Sequence, residues 1–129
     1  MCFTVQKKLP YGRMNRFDFW PACEKEWQRL SKRFRTLRDD MESLKAVLAA
    51  CPTGLGKNFT VLHAGAGLRI VKARMACRAL RNRSLRLIYA FHETDRRIVF
   101  IELYFKGDKE HEDRKRIEDY VRINREGVR

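Results

Sequence analysis

No run of about 18 apolar residues occurs in this chain, and a helix needs roughly that many to cross a bilayer, so the sequence predicts no membrane span and no membrane partner. The opening residues MCFTVQKKLPYGRMNR lack the apolar core that a secretory signal requires. They are basic, acid-free and short, which leaves a transit peptide as the one targeting option and a cytoplasmic protein as the expectation. Cysteine is sparse: Cys2, Cys23, Cys51 and Cys77 show no CxxC spacing and no clustering with histidine. That argues against zinc and for reduced thiols, and Cys23 and Cys51 fall on apolar helix positions that read as core. There is no P-loop, no HExxH, and no serine or cysteine nucleophile with an evident histidine partner. His63, His92 and His111 lie near predicted strand or helix ends and read as surface residues rather than ligands. Neither a metal nor a cofactor is therefore expected. Internal repeats and low-complexity tracts are also missing.

Acids are the scarcer charge. The 129 residues carry 29 Lys and Arg against 16 Asp and Glu, a formal net charge of +13. Hydrophobic content of 44% and charged content of 35% fit one compact, soluble domain. Such a positive excess points to a polyanion as partner: nucleic acid, an anionic membrane or an acidic protein. The charge is concentrated. From Arg69 to Arg86 there are seven basic residues (Arg69, Lys72, Arg74, Arg78, Arg81, Arg83, Arg86) and no acid, although both ends of this stretch read as strand.

Two helices open the domain. Pro21 suits a first helical turn, and Cys23, Trp27, Leu30 and Phe34 recur at spacings of three and four. Thr36 with Asp39 resembles a capping box for a second helix, whose stripe is Leu37, Met41, Leu44, Leu48 and Cys51 and which Pro52-Thr-Gly54 ends. The two make an αα-hairpin. Before it, 15–19 can be a strand, and residues 2–5 a further short one. After it the period changes to two, with strands expected over 59–62, 68–75, 85–91 and 98–105. Lys109 to Asn124 reads as a helix carrying Glu110–Arg114 and Glu112–Arg116 pairs, with a thin stripe of Ile117, Tyr120 and Val121 that predicts light docking. The fold class is α+β, with the helical hairpin on one face of a mostly antiparallel sheet and a C-terminal helix.

Strand parity sorts the cations. Leu85, Leu87, Tyr89 and Phe91, with Val99, Ile101, Leu103 and Phe105 and with Val71, Ala73 and Met75, should face the helices. Lys72, Arg74, Arg86, Glu102, Tyr104 and Lys106 then share the open face. A wet sheet face is ordinary in antiparallel structure, but it normally mixes both signs of charge. One carboxylate and one phenol among cations suit a phosphodiester. Cleaving RNA without a metal requires deprotonating the 2′-hydroxyl, stabilising the phosphorane and protonating the 5′-oxygen. Arg74 and Arg86 can clamp the phosphate. Lys72, crowded by cations, is expected to have a lowered pKa and to be a usable base. Tyr104 or Lys106 can protonate the leaving group, and Glu102 can orient an arginine or be the base instead. Arg78, Arg81 and Arg83 belong to a connecting loop, where they suit an RNA backbone or a protein partner; Arg69 has the wrong parity for the site.

Three segments resemble the RelE/ParE superfamily of toxins from bacterial and archaeal toxin–antitoxin systems: FDFWPACEKEWQRLSKRF, IVKAR with LRLIYAF, and VFIELYFKGDKEHEDRKRI. The resemblance runs from about Asn15 to the C-terminal helix, giving a RelE/ParE-like toxin domain over 15–129 and an N-terminal extension over 1–14, with Met14 as an alternative start. It implies a RelE-like, microbial-ribonuclease-like fold and a ribosome-dependent, metal-independent mRNA endoribonuclease that leaves a 2′,3′-cyclic phosphate and inhibits translation. By position, the family's strand cations fall on Lys72 and Arg74, its RLxY arginine on Arg86, and its basic residue after the last strand on Lys106 or Lys109, the latter also a candidate RNA contact. The family's C-terminal Tyr or His has only Tyr104 and Tyr120 as candidates. A cognate antitoxin, the ribosome and mRNA are the implied partners. Two other readings stand beside this one, a non-catalytic ParE-like inhibitor of DNA gyrase and a non-toxic nucleic-acid-binding module.

Overall fold

The computed structural model describes residues 16–54, 56–80 and 84–126. The N-terminal extension, with its expected strand over 2–5, and the loop cations Arg81 and Arg83 lie outside the described residues. In chain order the elements are β1 (Arg16–Phe19), α1 (Pro21–Arg33), α2 (Leu37–Ala50), β2 (Phe59–Gly65), β3 (Leu68–Ala76), a 3-10 turn (Arg78–Leu80), β4 (Ser84–His92), β5 (Arg97–Phe105) and α3 (Arg114–Glu126). They form one five-stranded sheet in the order β1-β5-β4-β3-β2. Only the β1–β5 pairing is parallel. The expected α+β architecture holds.

The helical hairpin forms as its periodicity requires. Pro21 opens α1, where the N–H it lacks would have no helical partner. Cys23, Leu30, Phe34, Leu37, Met41, Leu44 and Leu48 are buried against Val71, Ala73, Met75, Leu85, Leu87 and Tyr89 of the sheet. The capping box does not form. The Thr36 hydroxyl instead donates to Asp40 Oδ2 (2.8 Å) and accepts from the Ala79 N–H (3.0 Å), tying α2 to the 3-10 turn.

Strand β5 departs from simple alternation. Ile88 pairs with Glu102 while Tyr89 pairs with Phe100, so Ile101 is an extra residue, a β-bulge. One extra residue reverses the faces on either side of it. Ile98 and Phe100 join the hairpin core before the bulge, and Leu103 and Phe105 join it afterwards. Val99 and Ile101 therefore face away from the hairpin, opposite to the expected assignment, and pack with Leu68, Ile70, Ile88 and Ala90 on the second face. The bulge leaves no mark in the sequence because IVFI is apolar on both faces.

Helix α3 covers this second apolar patch, so the docking is firmer than its thin stripe predicts. Tyr120 is 1% exposed, stacks edge-on against Trp20 (centroids 4.9 Å apart) and pairs with His92 Nε2 at 2.6 Å. The helix begins five residues later than expected, because Asp113 caps it: its carboxylate accepts the Arg116 N–H (3.0 Å) and its carbonyl the Ile117 N–H (3.2 Å). Of the two expected i,i+4 pairs, Glu112–Arg116 gives way to longer-range ones, and Glu110 lies 3.9 Å from its neighbour His111. Arg116 forms two 3.0 Å bonds to Glu26 of α1 and donates to the Ile101 carbonyl at 2.9 Å, while Glu26 accepts the Leu103 N–H at 3.0 Å. β1 pairs with β5 only up to Phe100. The Glu26–Arg116 clamp therefore satisfies the bare edge of β5 beyond that point and links the helices on the two faces of the sheet.

Candidate active site

The second face divides in two. One end is apolar and lies under α3; the other carries the charge. In the charged half the strand registers align Arg74, Arg86 and Tyr104 in one row and Lys72, Ile88 and Glu102 in the next. The rows follow from three adjacent antiparallel strands whose alternation places these side chains on one face. The segment 106–113, which leaves β5 and leads to α3, folds back over them.

Arg74 and Arg86 are direct cross-strand partners. Among the described residues neither meets a carboxylate. Arg86 donates through Nη1 to the Ser84 hydroxyl (2.7 Å) and carbonyl (3.3 Å), and Arg74 is exposed. Burial first, and then the charge of Arg74, lower the Arg86 pKa from its ordinary value. Two like charges set opposite each other in a ladder are unfavourable, and an anion is what relieves them.

Lys72 is different. The Glu112 carboxylate accepts a hydrogen bond from its Nζ at 2.9 Å and raises its pKa, outweighing burial. The expected lowering by neighbouring cations is thus reversed, and Lys72 carries its proton at neutral pH. Glu112 in turn is held below the usual carboxylate range, first by that bond. Tyr104 is buried, with its hydroxyl beside Lys72 Nζ and no acceptor for its proton among the described residues; burial raises its pKa, although the charge of Lys72 and its approach to the hydroxyl work the other way. Glu102 is fully buried, accepting from Lys109 Nζ and from the Asp113 N–H (2.8 Å). Lys109 also lies 5.3 Å from the centre of the Tyr104 ring.

The structure therefore gathers Lys72, Arg74, Arg86, Glu102, Tyr104 and Lys109 at one place. Lys106 is in the exposed turn immediately after β5, within the same segment. Arg78 is apart from them: it pairs with Asp40 (3.2 Å) and Asp39 (3.5 Å) of α2, in the layer on the hairpin side of the sheet. Tyr120 belongs to the apolar half, at His92. Glu112 was not singled out by the sequence. Its spacing to Arg116 assigned it to a helix surface, and nothing local marks a contact with a residue 40 positions away. Next to Glu112, a groove of about 360 Å³ runs between β2 and α3, lined by Leu62, His63, Arg114, Ile117 and Val121.

No family model and no curated protein sequence matches the chain. Solved structures do. The archaeal RelE–RelB complex from Pyrococcus horikoshii aligns with a TM-score of 0.57 at 20% identity, over 73% of this chain and 97% of the other. A double mutant of the E. coli toxin RelE in the free state aligns with a TM-score of 0.52 at 18% identity, over 75% of this chain and 88% of the other. At that identity the likeness is one of architecture, and the chain has the RelE-like fold.

Proposed function

We propose that the charged half of this face binds an RNA phosphodiester and cleaves it by attack of the adjacent 2′-hydroxyl, and that the chain is the toxin of a toxin–antitoxin pair that arrests translation by cutting mRNA on the ribosome. The observation that carries this reading is the Arg74–Arg86 pair, aligned across β3 and β4 with no carboxylate beside it among the described residues. Two adjacent guanidinium groups offer a phosphate bidentate hydrogen bonds, and more charge stabilisation in the phosphorane than in the ground state. The row continues into Tyr104, whose buried, protonated hydroxyl lies beside the Lys72 ammonium, itself a donor, and has no acceptor for its own proton among the described residues. An unsatisfied buried hydroxyl is costly, and a leaving oxygen arriving beside it would satisfy it. Lys106 and Lys109 add charge where the chain leaves β5. The net charge of +13 suits both an RNA target and an acidic antitoxin, and one solved structure of like fold is a RelE–RelB complex.

The test is induced expression in a bacterial host, with mapping of mRNA 5′ ends. Wild-type protein should stop growth and create new 5′ ends within coding sequences. Replacing Lys72, Arg74 and Arg86 together by alanine should abolish both, since loss of one phosphate-stabilising group alone is worth about 10²–10³ in rate. Growth arrest with DNA damage and no new mRNA ends would favour gyrase as the target and defeat the RNase reading.

A further inference from the structure

We infer that Glu112 is the group that accepts the 2′-hydroxyl proton, a role that rests on the RNA-cleavage reading above. The other candidates are excluded by where they lie. Glu102 is sealed from solvent, and its two oxygens are taken, one by Lys109 and one by the Asp113 N–H. It anchors the segment 106–113 to β5. The Tyr104 hydroxyl is buried and protonated. Lys72 already holds its proton and donates a hydrogen bond through it to Glu112. Glu112 is the carboxylate that combines contact with the strand cations and an opening to solvent. Its side chain, 9% exposed, lines the groove between β2 and α3; among the described residues Lys72 is the one side chain that bonds it, whereas Glu118 lines the groove without a bond to Lys72.

The position is also suitable. Lys72 lies two residues along β3 from Arg74, roughly 7 Å at strand spacing, so Glu112 stands beside a phosphate held by Arg74 and Arg86 rather than on it. Charged and titratable groups face Glu112 from several elements. Lys72 does so from β3, Tyr104 from β5 and Arg114 from α3, while His63 of β2 and Glu118 of α3 line the same groove. In the free protein Lys72 and Arg114 keep the carboxylate ionised, hence ready to take a proton. An arriving phosphate competes for Lys72, and as the pair loosens Glu112 becomes the stronger base.

The step balances without a co-reactant. The O2′–H bond breaks and its proton goes to the Glu112 carboxylate; the freed electron pair on O2′ forms a bond to phosphorus. The P–O5′ bond breaks with its pair on O5′, which takes a proton from water or from Tyr104, whose phenolate then regains one from solvent. The products are a 2′,3′-cyclic phosphate and a 5′-hydroxyl, and Glu112 returns its proton to solvent.

The experiment compares wild-type protein, Glu112→Gln and Glu112→Asp on ribosomes programmed with a defined mRNA, and measures binding of the same mRNA carrying a 2′-O-methyl group at the cleaved nucleotide. Glu112→Gln should cleave about 10²–10⁴-fold more slowly. It should bind the methylated RNA as tightly as wild type or tighter, because a competitor for Lys72 has lost its charge. The acidic limb of the wild-type pH–rate profile should vanish with it. A merely structural partner of Lys72 would instead weaken binding and cleavage together and leave that limb in place, which would overturn the inference. Cleavage by Glu112→Gln within about 3-fold of wild type would also overturn it while leaving RNA cleavage itself intact. A wild-type protein that cuts nothing on the ribosome defeats both. Should Glu112→Gln not fold, the acidic limb of Glu112→Asp decides: displaced, it supports the role; unmoved, it refutes it.

Discussion

Arg74 and Arg86 oppose each other across β3 and β4, so one of them should be removable at a gain in stability and a loss in function. At a cross-strand separation of about 5 Å, two unit charges repel by about 0.8 kcal/mol in a water-like dielectric. Like charges directly opposite in a sheet cost roughly 0.2–1 kcal/mol when measured. Arg74 is exposed, so the lower part of that range is appropriate at ordinary ionic strength. Arg74→Gln removes the charge and keeps a polar chain of similar reach. We expect it to stabilise the fold by about 0.2–0.5 kcal/mol in dilute buffer, raising the melting temperature by roughly 1–2 °C. Arg74→Lys, which keeps the charge, should change little. The gain should shrink toward zero in about 0.5 M salt, where the screening length falls below the charge separation. It should also be absent when Arg86 has already been replaced by glutamine. Inorganic phosphate or a short RNA should raise the melting temperature of wild type more than that of Arg74→Gln, since the anion relieves what the mutation has already removed. The assay is thermal or urea unfolding, at two salt concentrations, of wild type, Arg74→Gln, Arg74→Lys, Arg86→Gln and the double glutamine variant. A destabilisation of about 0.5 kcal/mol or more by Arg74→Gln, or a gain indifferent to salt, would refute the reasoning: the pair would then be structural, and the strongest support for a phosphate site would be gone.

Two further outcomes follow from the ion pairs. Arg116→Ala should cost about 2–4 kcal/mol in urea unfolding, somewhat less than a fully buried pair, because it strands Glu26 (17% exposed) and frees the Ile101 carbonyl; adding Glu26→Gln should recover part of the loss. On the acid side, the lowered pKa values of Glu112 and Asp40 mean that the folded state binds protons less readily than the unfolded chain. Their contribution is complete above about pH 4.5, the ordinary glutamate value, and is lost as pH falls through the folded values below it. Lys72, raised above its ordinary 10.5, contributes fully below that pH and loses its contribution only in stronger alkali. A stability–pH curve of Glu112→Gln should therefore be flatter than that of wild type below pH 4.5, and a curve that parallels wild type there would contradict the ion pair.

The hairpin and the strands were legible because each is a local pattern. The stripe Cys23, Leu30, Phe34 and the alternation Leu85, Leu87, Tyr89 repeat within a few residues, and burial enforces them directly. Candidate site residues carried on strands shared that legibility: once parity was assigned, Lys72, Arg74 and Arg86 had to share a face. What was not legible depends on residues distant in sequence. Glu112 reaches Lys72 across 40 positions and Arg116 reaches Glu26 across 90. Neither acid nor arginine looks different from the solvated charges around it. The local alternative for both, an i,i+4 pair on one helix, was the simpler reading and was set aside only because Asp113 caps the helix between them. The pKa of Lys72 went the wrong way for the same reason, since a list of strand cations omits a carboxylate delivered by a loop.

The bulge at Ile101 is where fold and site become one question. On β5, Ile98 and Phe100 face the hairpin core. Had the strand continued in strict alternation, Glu102 and Tyr104 would have followed them into that core, and Leu103 and Phe105 would have been left on the charged face. A carboxylate and a phenol would then be buried among aliphatic side chains at a cost of several kcal/mol, with two large hydrophobic residues facing the cations. The extra residue corrects both faults at once. It lets the first half of β5 serve two apolar cores, one under the hairpin and one under α3, and then turns the second half so that its apolar residues stay with the hairpin. Glu102 is thereby aimed at Lys109 and the Asp113 N–H, and so holds the segment that carries Glu112. The irregularity that sequence alternation could not register is the one that brings a carboxylate to Lys72.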